Sequence, residues 1–450
     1  MNPNRYIPDI WSFDYIVAFL YILIIYLFAF AYSKNKLKVD SSYKYYMWAL
    51  SAKIFGGLGF LVLTVYYWGG GDTYSYWNTA NDFTSLFFQD PIKGLRIIFT
   101  PASEMNWYEY EFAYNRHQFL RSTDTFTTVK ITAILNILSF RSYVVCTVLY
   151  STFSFLGVWS MYGAFSRIYP HLKKQLLLAF FFIPSVVLWG SGILKDTITI
   201  SAMGYLVSSF INLIIFKERK TKSLIIIVLA TLTIAFLKPY ILYVLYPALF
   251  IWVQSNIKAL IKSNLLRRLL APFVAVVLIT LTVFMSRKLS QSAGRYQLDR
   301  IENTLEGFQS WHTTVSETQH QSGYTLGTVD FSLTGIIKSV PQAVVVTFYR
   351  PYLWEVYNAS TLLAAMEGLI LFLISLWLLL KYRIKLFRLI YRNKDVLFLF
   401  IFSIVFAVVV GISSYNFGAL SRYKIPAQMF FVVALVLLID KTEDRKYLIQ

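Results

Sequence analysis

The chain has 450 residues, 57% hydrophobic, 18% aromatic and only 14% charged, with a formal net charge of +19. Soluble domains carry about 25% charged residues, so this composition excludes an ordinary soluble globule and fits a chain solvated mostly by lipid. The basic excess lies in short clusters between hydrophobic runs, the pattern that orients a membrane protein, which argues against nucleic-acid binding.

Residues 1–10 contain Pro and Asp and a single Arg. The apolar stretch after them is too long for a cleavable h-region and lacks a small-residue cleavage site, so it reads as a retained span. A helix needs about 20 residues to cross the hydrocarbon core. On that measure the candidate spans are 11–33, 46–67, 142–163, 175–194, 197–216, 223–237, 240–254, 269–286, 359–380, 396–413 and 426–439. The long stretches 175–216 and 223–254 are expected to turn near Lys195-Asp196 and Lys238-Pro239. The expected fold class is all-α: a polytopic transmembrane helical bundle of about eleven spans forming one membrane domain over residues 1–450.

Orientation follows from the loops. The segments 34–45, 164–174, 217–222, 255–268, 381–394 and 440–450 hold 24 Lys and Arg, whereas the opposite short segments offer only Arg5, Lys195, Lys238, Arg422 and Lys424. The positive-inside bias puts the first set in the cytoplasm, with the N-terminus outside and the C-terminus inside. The long loops 68–141 and 287–358 then face outward. Their stretches 126–140 and 333–349 look too short or too polar to span, and are expected to lie along the outer interface as a roof. Cys146, the one cysteine, sits in an apolar run as a small buried hydrophobe.

Three segments could carry chemistry. Gly69-Gly70-Gly71-Asp72-Thr73-Tyr74-Ser75-Tyr76 follows a span directly. Its glycines let the backbone turn sharply and approach a ligand, placing Asp72 at the outer surface as a candidate general base; a plain interfacial turn with a solvated Asp is the simpler alternative. Pro184 to Asp196 loosens the outer end of a span and delivers Lys195 and Asp196, where a cation could hold a lipid phosphate, unless the two charges merely pair and snorkel. Lys238-Pro239, Tyr349-Arg350-Pro351-Tyr352-Leu353-Trp354-Glu355 and Ser421-Arg422-Tyr423-Lys424 add cations to the same side, against the orientation bias and suited to phosphate. His117, His171, His312 and His320 have poor metal spacing, and no nucleotide-binding or zinc motif occurs.

Taken together, the polytopic layout, the acid opening the first outer loop and the outer Arg/Lys-Pro turns resemble the GT-C superfamily of lipid-phosphosugar-dependent glycosyltransferases. They also resemble the related polysaccharide polymerases of the Wzy and EpsG type. Gly71-Asp72-Thr73-Tyr74-Ser75-Tyr76 is similar to that group's Gly-Asp loop with a following Tyr. The chain departs from the pattern in having a complete extra span, 11–33, before the helix leading to the acidic loop. It also has no paired-acid motif there and no soluble C-terminal domain.

The resemblance implies a multi-pass protein of the bacterial inner membrane that works in cell-envelope polysaccharide or glycoconjugate assembly. It implies a polyprenyl-phosphate- or diphosphate-linked sugar as donor and a saccharide acceptor, with no cofactor assigned and no metal ligands identified. Asp72 would be the catalytic base, with Lys195, Lys238, Arg350, Arg422, Tyr74, Trp354 and Glu355 binding the lipid phosphate or substrate. A polymerase would share all this chemistry and differ in its product. A lipid-linked sugar flippase or transporter is the alternative from another class, for which paired halves with matching broken helices are not seen.

Overall fold

The computed structural model describes residues 10–106, 109–110, 117–257, 307, 323–324 and 333–440. The expected span 269–286 and the pair His312 and His320 lie outside them. The described residues are helical, and their one β feature is an isolated bridge between Gly323 and Asn416.

Seven helical segments are long and apolar enough to cross a membrane: Ser12–Leu37, Ser41–Tyr67, Tyr143–Ile168, Lys195–Phe216, Lys220–Leu237, Ala359–Tyr382 and Lys394–Ser414. An eighth candidate is the pair Phe417–Tyr423 and Ile425–Ile439, bent by 61°. Phe13, Phe19, Leu27 and Phe28 on the first, and Leu369, Leu373 and Leu380 on the sixth, are exposed. An apolar surface of that extent is tolerated in lipid and not in water. The chain is a multi-pass membrane protein.

In chain order the helices are α1 (Ser12–Leu37), α2 (Tyr46–Val62), α3 (Asp72–Gln89), α4 (Pro91–Phe99), α5 (Thr123–Leu138), α6 (Tyr143–Ile168), α7 (Lys173–Phe181), α8 (Pro184–Trp189), α9 (Lys195–Ile211), α10 (Lys220–Leu237), α11 (Pro239–Ile257), α12 (Leu333–Tyr349), α13 (Ala359–Tyr382), α14 (Lys385–Arg392), α15 (Lys394–Ser414), α16 (Phe417–Tyr423) and α17 (Ile425–Ile439). The expected turns at Lys195 and Lys238 are there: α9 begins at Lys195, and α10 stops one residue before Lys238.

Two stretches differ from expectation. Residues 175–194 form two short helices because Pro184 disfavours helical backbone at Ile183, which is extended, and opens α8 at its first position. The six-residue α8 is pressed directly on α2. A Cβ on Gly56 would come within 2.4 Å of the Val187 carbonyl oxygen, so glycine allows the contact.

The second is 333–349, which does not lie flat as a roof. A Cβ on Gly411 would meet the Ala343 carbonyl at 2.6 Å, and Thr347 donates to the Ala407 carbonyl at 2.8 Å, so α12 runs antiparallel beside α15. Its last residue, Tyr349, abuts Gly368, nine positions into α13, or about 13 Å along that helix. Residues 350–358 then return to the start of α13. The segment is re-entrant, and it looked too short to span because it goes only part of the way.

Helices α3, α4 and α5 form a separate layer around Tyr76, Phe83, Ile97, Phe126 and Val129. It packs on Leu61 closing α2 and Val65 just beyond it, Val144 and Val145 opening α6, Ile198 opening α9 and Leu237 closing α10. These helix ends share one end of the bundle, and that end carries the charged cluster described next.

Candidate functional site

The helix of α2 ends in a π-helical turn at Leu63–Tyr67, and Trp68 then stacks on Trp189 with ring centroids 5.5 Å apart. Gly69, Gly70 and Gly71 follow with φ of 65°, 123° and 139°. Three successive residues in this region require glycine. They reverse the chain so that Asp72 is the first residue of α3, where a carboxylate complements the helix N-terminus.

The Asp72 side chain is 59% exposed, and its Oδ2 accepts a hydrogen bond from Nη1 of Arg422 at 3.1 Å. Arg422, on α16, turns its Nε inward to Oδ2 of Asp196 at 2.7 Å. The other oxygen of Asp196 accepts from Nζ of Lys238, and the Asp196 side chain is only 2% exposed. Lys238 is the single non-helical residue between α10 and α11, where Pro239 disfavours helical backbone.

Lys195 and Asp196 do not pair with each other. As neighbours on a helix they point about 100° apart, and Lys195 instead donates to Oδ2 of Asp124 at 2.6 Å and to Oγ1 of Thr125 at 3.0 Å. Burial pushes the Asp124 carboxyl up. The Lys195 charge and hydrogen bond, with Ser122 and the Thr125 backbone amide, outweigh it and hold the group below the usual carboxylate range. Tyr76 lies beneath Lys195, at 5.5 Å from its ammonium, and Tyr423 faces both Lys238 and Arg422.

The cluster therefore contains three cations, Lys195, Lys238 and Arg422, and three carboxylates, Asp72, Asp124 and Asp196. It is neutral, and each carboxylate already faces a cation. Among the described residues no group of His, Cys, Asp and Glu could hold a metal ion.

Of the residues singled out in the sequence, Asp72, Lys195, Lys238 and Arg422 come together. Arg350 stands apart at the deep end of the re-entrant segment. Its Nε meets Oε2 of Glu355 at 3.0 Å, its Nη2 meets Oε1, and Glu355 also accepts from the Tyr352 amide at 2.8 Å. Tyr324, Tyr352 and Phe417 ring the guanidinium at 5.9, 5.6 and 5.3 Å. Phe417 is five residues before Arg422 on α16, about 8 Å along the helix. The Arg350 fork is thus occupied by Glu355, a bidentate pair that ties down the 350–355 turn.

Tyr74 packs its ring 5.8 Å from Trp77, while it is Tyr76 that underlies the cluster. Trp354 is 82% exposed and stacks on Tyr352 at 4.8 Å. Asp124 was not singled out from the sequence, and Tyr76 was named only as the end of the glycine-led segment, with no role. Asp196 was noted only as the neighbour of Lys195.

No family model, curated protein or solved structure matches this chain. Its chemistry is therefore read from the geometry of the cluster. A half-exposed carboxylate sits at the end of a helical bundle, hydrogen-bonded to one arm of a guanidinium whose other arm is buried. That arrangement can accept a proton on the exposed side and hold an anion beside it.

Proposed function

We propose that the chain is a membrane glycosyltransferase taking a sugar from a polyprenyl phosphate or diphosphate on the outer face of the bacterial inner membrane. The observation that carries this reading is the contact between exposed Asp72 and Arg422, backed by Lys238 and Lys195, at one end of the bundle. The preponderance of Lys and Arg in the opposite loops supports assigning that end to the exterior.

In this scheme the acceptor hydroxyl oxygen attacks the anomeric carbon and its proton passes to Asp72. The bond from that carbon to the phosphate oxygen breaks, and the electron pair leaves with the lipid phosphate. Arg422, with Lys238 and Lys195 behind it, stabilises the charge that develops there. One carboxylate suffices, because phosphate leaves without needing the acid that a hydrolase supplies to a sugar oxygen.

The cluster sits where helices begin and end, at Asp72, Lys195, Lys238 and Arg422. A secondary transporter holds its substrate near the midplane, so this position favours an enzyme. A polymerase would use the same groups and add repeats to a growing saccharide.

Cells deleted for the chain and complemented with wild type or with Asp72→Asn provide the test. The expected result is loss of the envelope saccharide with Asp72→Asn while membrane insertion is unchanged. Undiminished saccharide would remove Asp72 from the reaction, and a ladder of chain lengths lost with the variant would identify a polymerase.

A further inference from the structure

Arg422 holds two carboxylates in opposite settings. Its inner bond, to Asp196, is dry, and Asp196 is shared with Lys238. Breaking that bond would strand a buried charge. Its outer bond, to Asp72, is longer and lies at a side chain 59% exposed, and wet pairs of this kind are weak. Among the described residues each cation of the cluster already faces a carboxylate, so a phosphate that seats on Nη1 of Arg422 competes with Asp72, the exposed one of the three.

The geometry around Asp72 allows it to move. Three glycines at positive φ precede it, and a Cβ placed on Gly71 would find nothing within 4 Å. A guanidinium prefers phosphate oxygens in the same fork geometry it offers a carboxylate.

We propose that Asp72 is the resting occupant of a phosphate seat on Arg422. The donor's phosphate displaces the carboxylate from Nη1, and the displaced carboxylate is then free to accept the acceptor's proton. Both groups stay anionic during the exchange, and no covalent bond forms or breaks until the sugar is transferred. The base is thus released by the substrate it serves. This inference rests on the reading of the site given under Proposed function.

The test is phosphate binding by the purified full chain in lipid nanodiscs, with polyprenyl phosphate and inorganic phosphate as probes. Removing the competing carboxylate with Asp72→Asn is expected to tighten binding about two- to five-fold, the release of one exposed ion pair. In an Arg422→Lys background, where a single ammonium must serve Asp196, that gain disappears, which a double-mutant cycle reads directly. Arg422→Lys keeps a cation for the buried carboxylate and so guards against simple misfolding.

Unchanged or weaker binding with Asp72→Asn overturns the exchange. So does a gain that persists undiminished with Arg422→Lys, because it would come from long-range repulsion alone. A gain in both probes supports a seat that reads the phosphate group itself, and a gain confined to polyprenyl phosphate supports one that reads a lipid-linked phosphate. Saccharide formation separates the two claims. Transfer lost with binding unchanged sinks only the exchange, whereas transfer retained with tightened binding sinks only the role of Asp72 as base.

Discussion

Glu367 and Lys53 grip opposite ends of the same six-residue helix. At the start of α8, Glu367 accepts from the Ser185 amide at 2.9 Å and from its hydroxyl at 2.8 Å. At the other end Lys53, fully buried, donates to the Gly190 carbonyl at 3.1 Å and the Val186 carbonyl at 3.4 Å. Acid at the N-terminus and cation at the C-terminus is the arrangement a helix dipole favours. The two charges come from different spans, α13 and α2, so this clamp fixes α8 in the bundle just before the turn that delivers Lys195 and Asp196.

Removing Glu367 exposes how much of the fold depends on that clamp. Glu367→Ala leaves the Ser185 amide unsatisfied and its hydroxyl with only the long contact to Gln428 at 3.4 Å, and leaves Lys424, buried without a hydrogen bond, lacking the nearby anion. The expected cost is roughly 3 kcal/mol. Glu367→Gln retains an acceptor for Ser185 and should cost about 1 kcal/mol. Thermal melting in detergent orders the two variants, and equal melting points would show that Glu367 does not anchor α8.

Substitutions in the charged cluster should rank by the burial of the group they strand. Asp196→Asn strips the anion shared by two buried cations and should cost about 3–5 kcal/mol. Lys238→Met should cost less, since Asp196 keeps Arg422. Asp72→Asn breaks an exposed pair worth about 0–1 kcal/mol, so this variant should melt like wild type. Melting curves in one detergent test the order, and a severe loss with Asp72→Asn would make Asp72 a structural residue.

The spans were legible because hydropathy is local: α1, α13 and α15 announce themselves over windows of their own residues. Asp72 was legible too, since the glycine run that positions it is adjacent. Its partner Arg422 is 350 residues away, and no local pattern reports such a pairing. Asp124 was one of seven acids in its loop, marked only by a contact with Lys195 across 71 residues. The Lys195-Asp196 dipeptide misleads for a geometric reason, because neighbours on a helix cannot face the same partner. Arg350 looked free because its bidentate partner, five residues on, serves a turn that the re-entrant α12 creates.

The Asp124–Lys195 pair makes a signed prediction about pH. The Asp124 carboxyl is held below its ordinary value in the fold, so the fold binds its proton less readily than the unfolded chain does. Stability from this group is fully present above roughly pH 4, the unfolded carboxylate range, and is lost as pH falls through the lower folded value. Melting between pH 6 and pH 3 should therefore fall more steeply for wild type than for Asp124→Asn. Parallel curves would mean that the pair contributes no linked stability.

Sidedness decides whether the cluster can meet a carrier presented outside the cell, and Cys146 makes it accessible to measurement. That cysteine is the only one in the chain and is fully buried, so a membrane-impermeant maleimide should leave wild type unlabelled. Lys93 on α4, with a side chain 59% exposed, belongs to the same layer as Asp72, whereas Lys385 opens α14 among the six basic residues of 381–394. Lys93→Cys should label in intact spheroplasts, and Lys385→Cys only after the membrane is permeabilised, because a segment that basic is retained in the cytoplasm. The reverse pattern would place Asp72 and Arg422 on the cytoplasmic face, where a donor presented outside could not reach them, and the glycosyl-transfer reading would fall with the orientation.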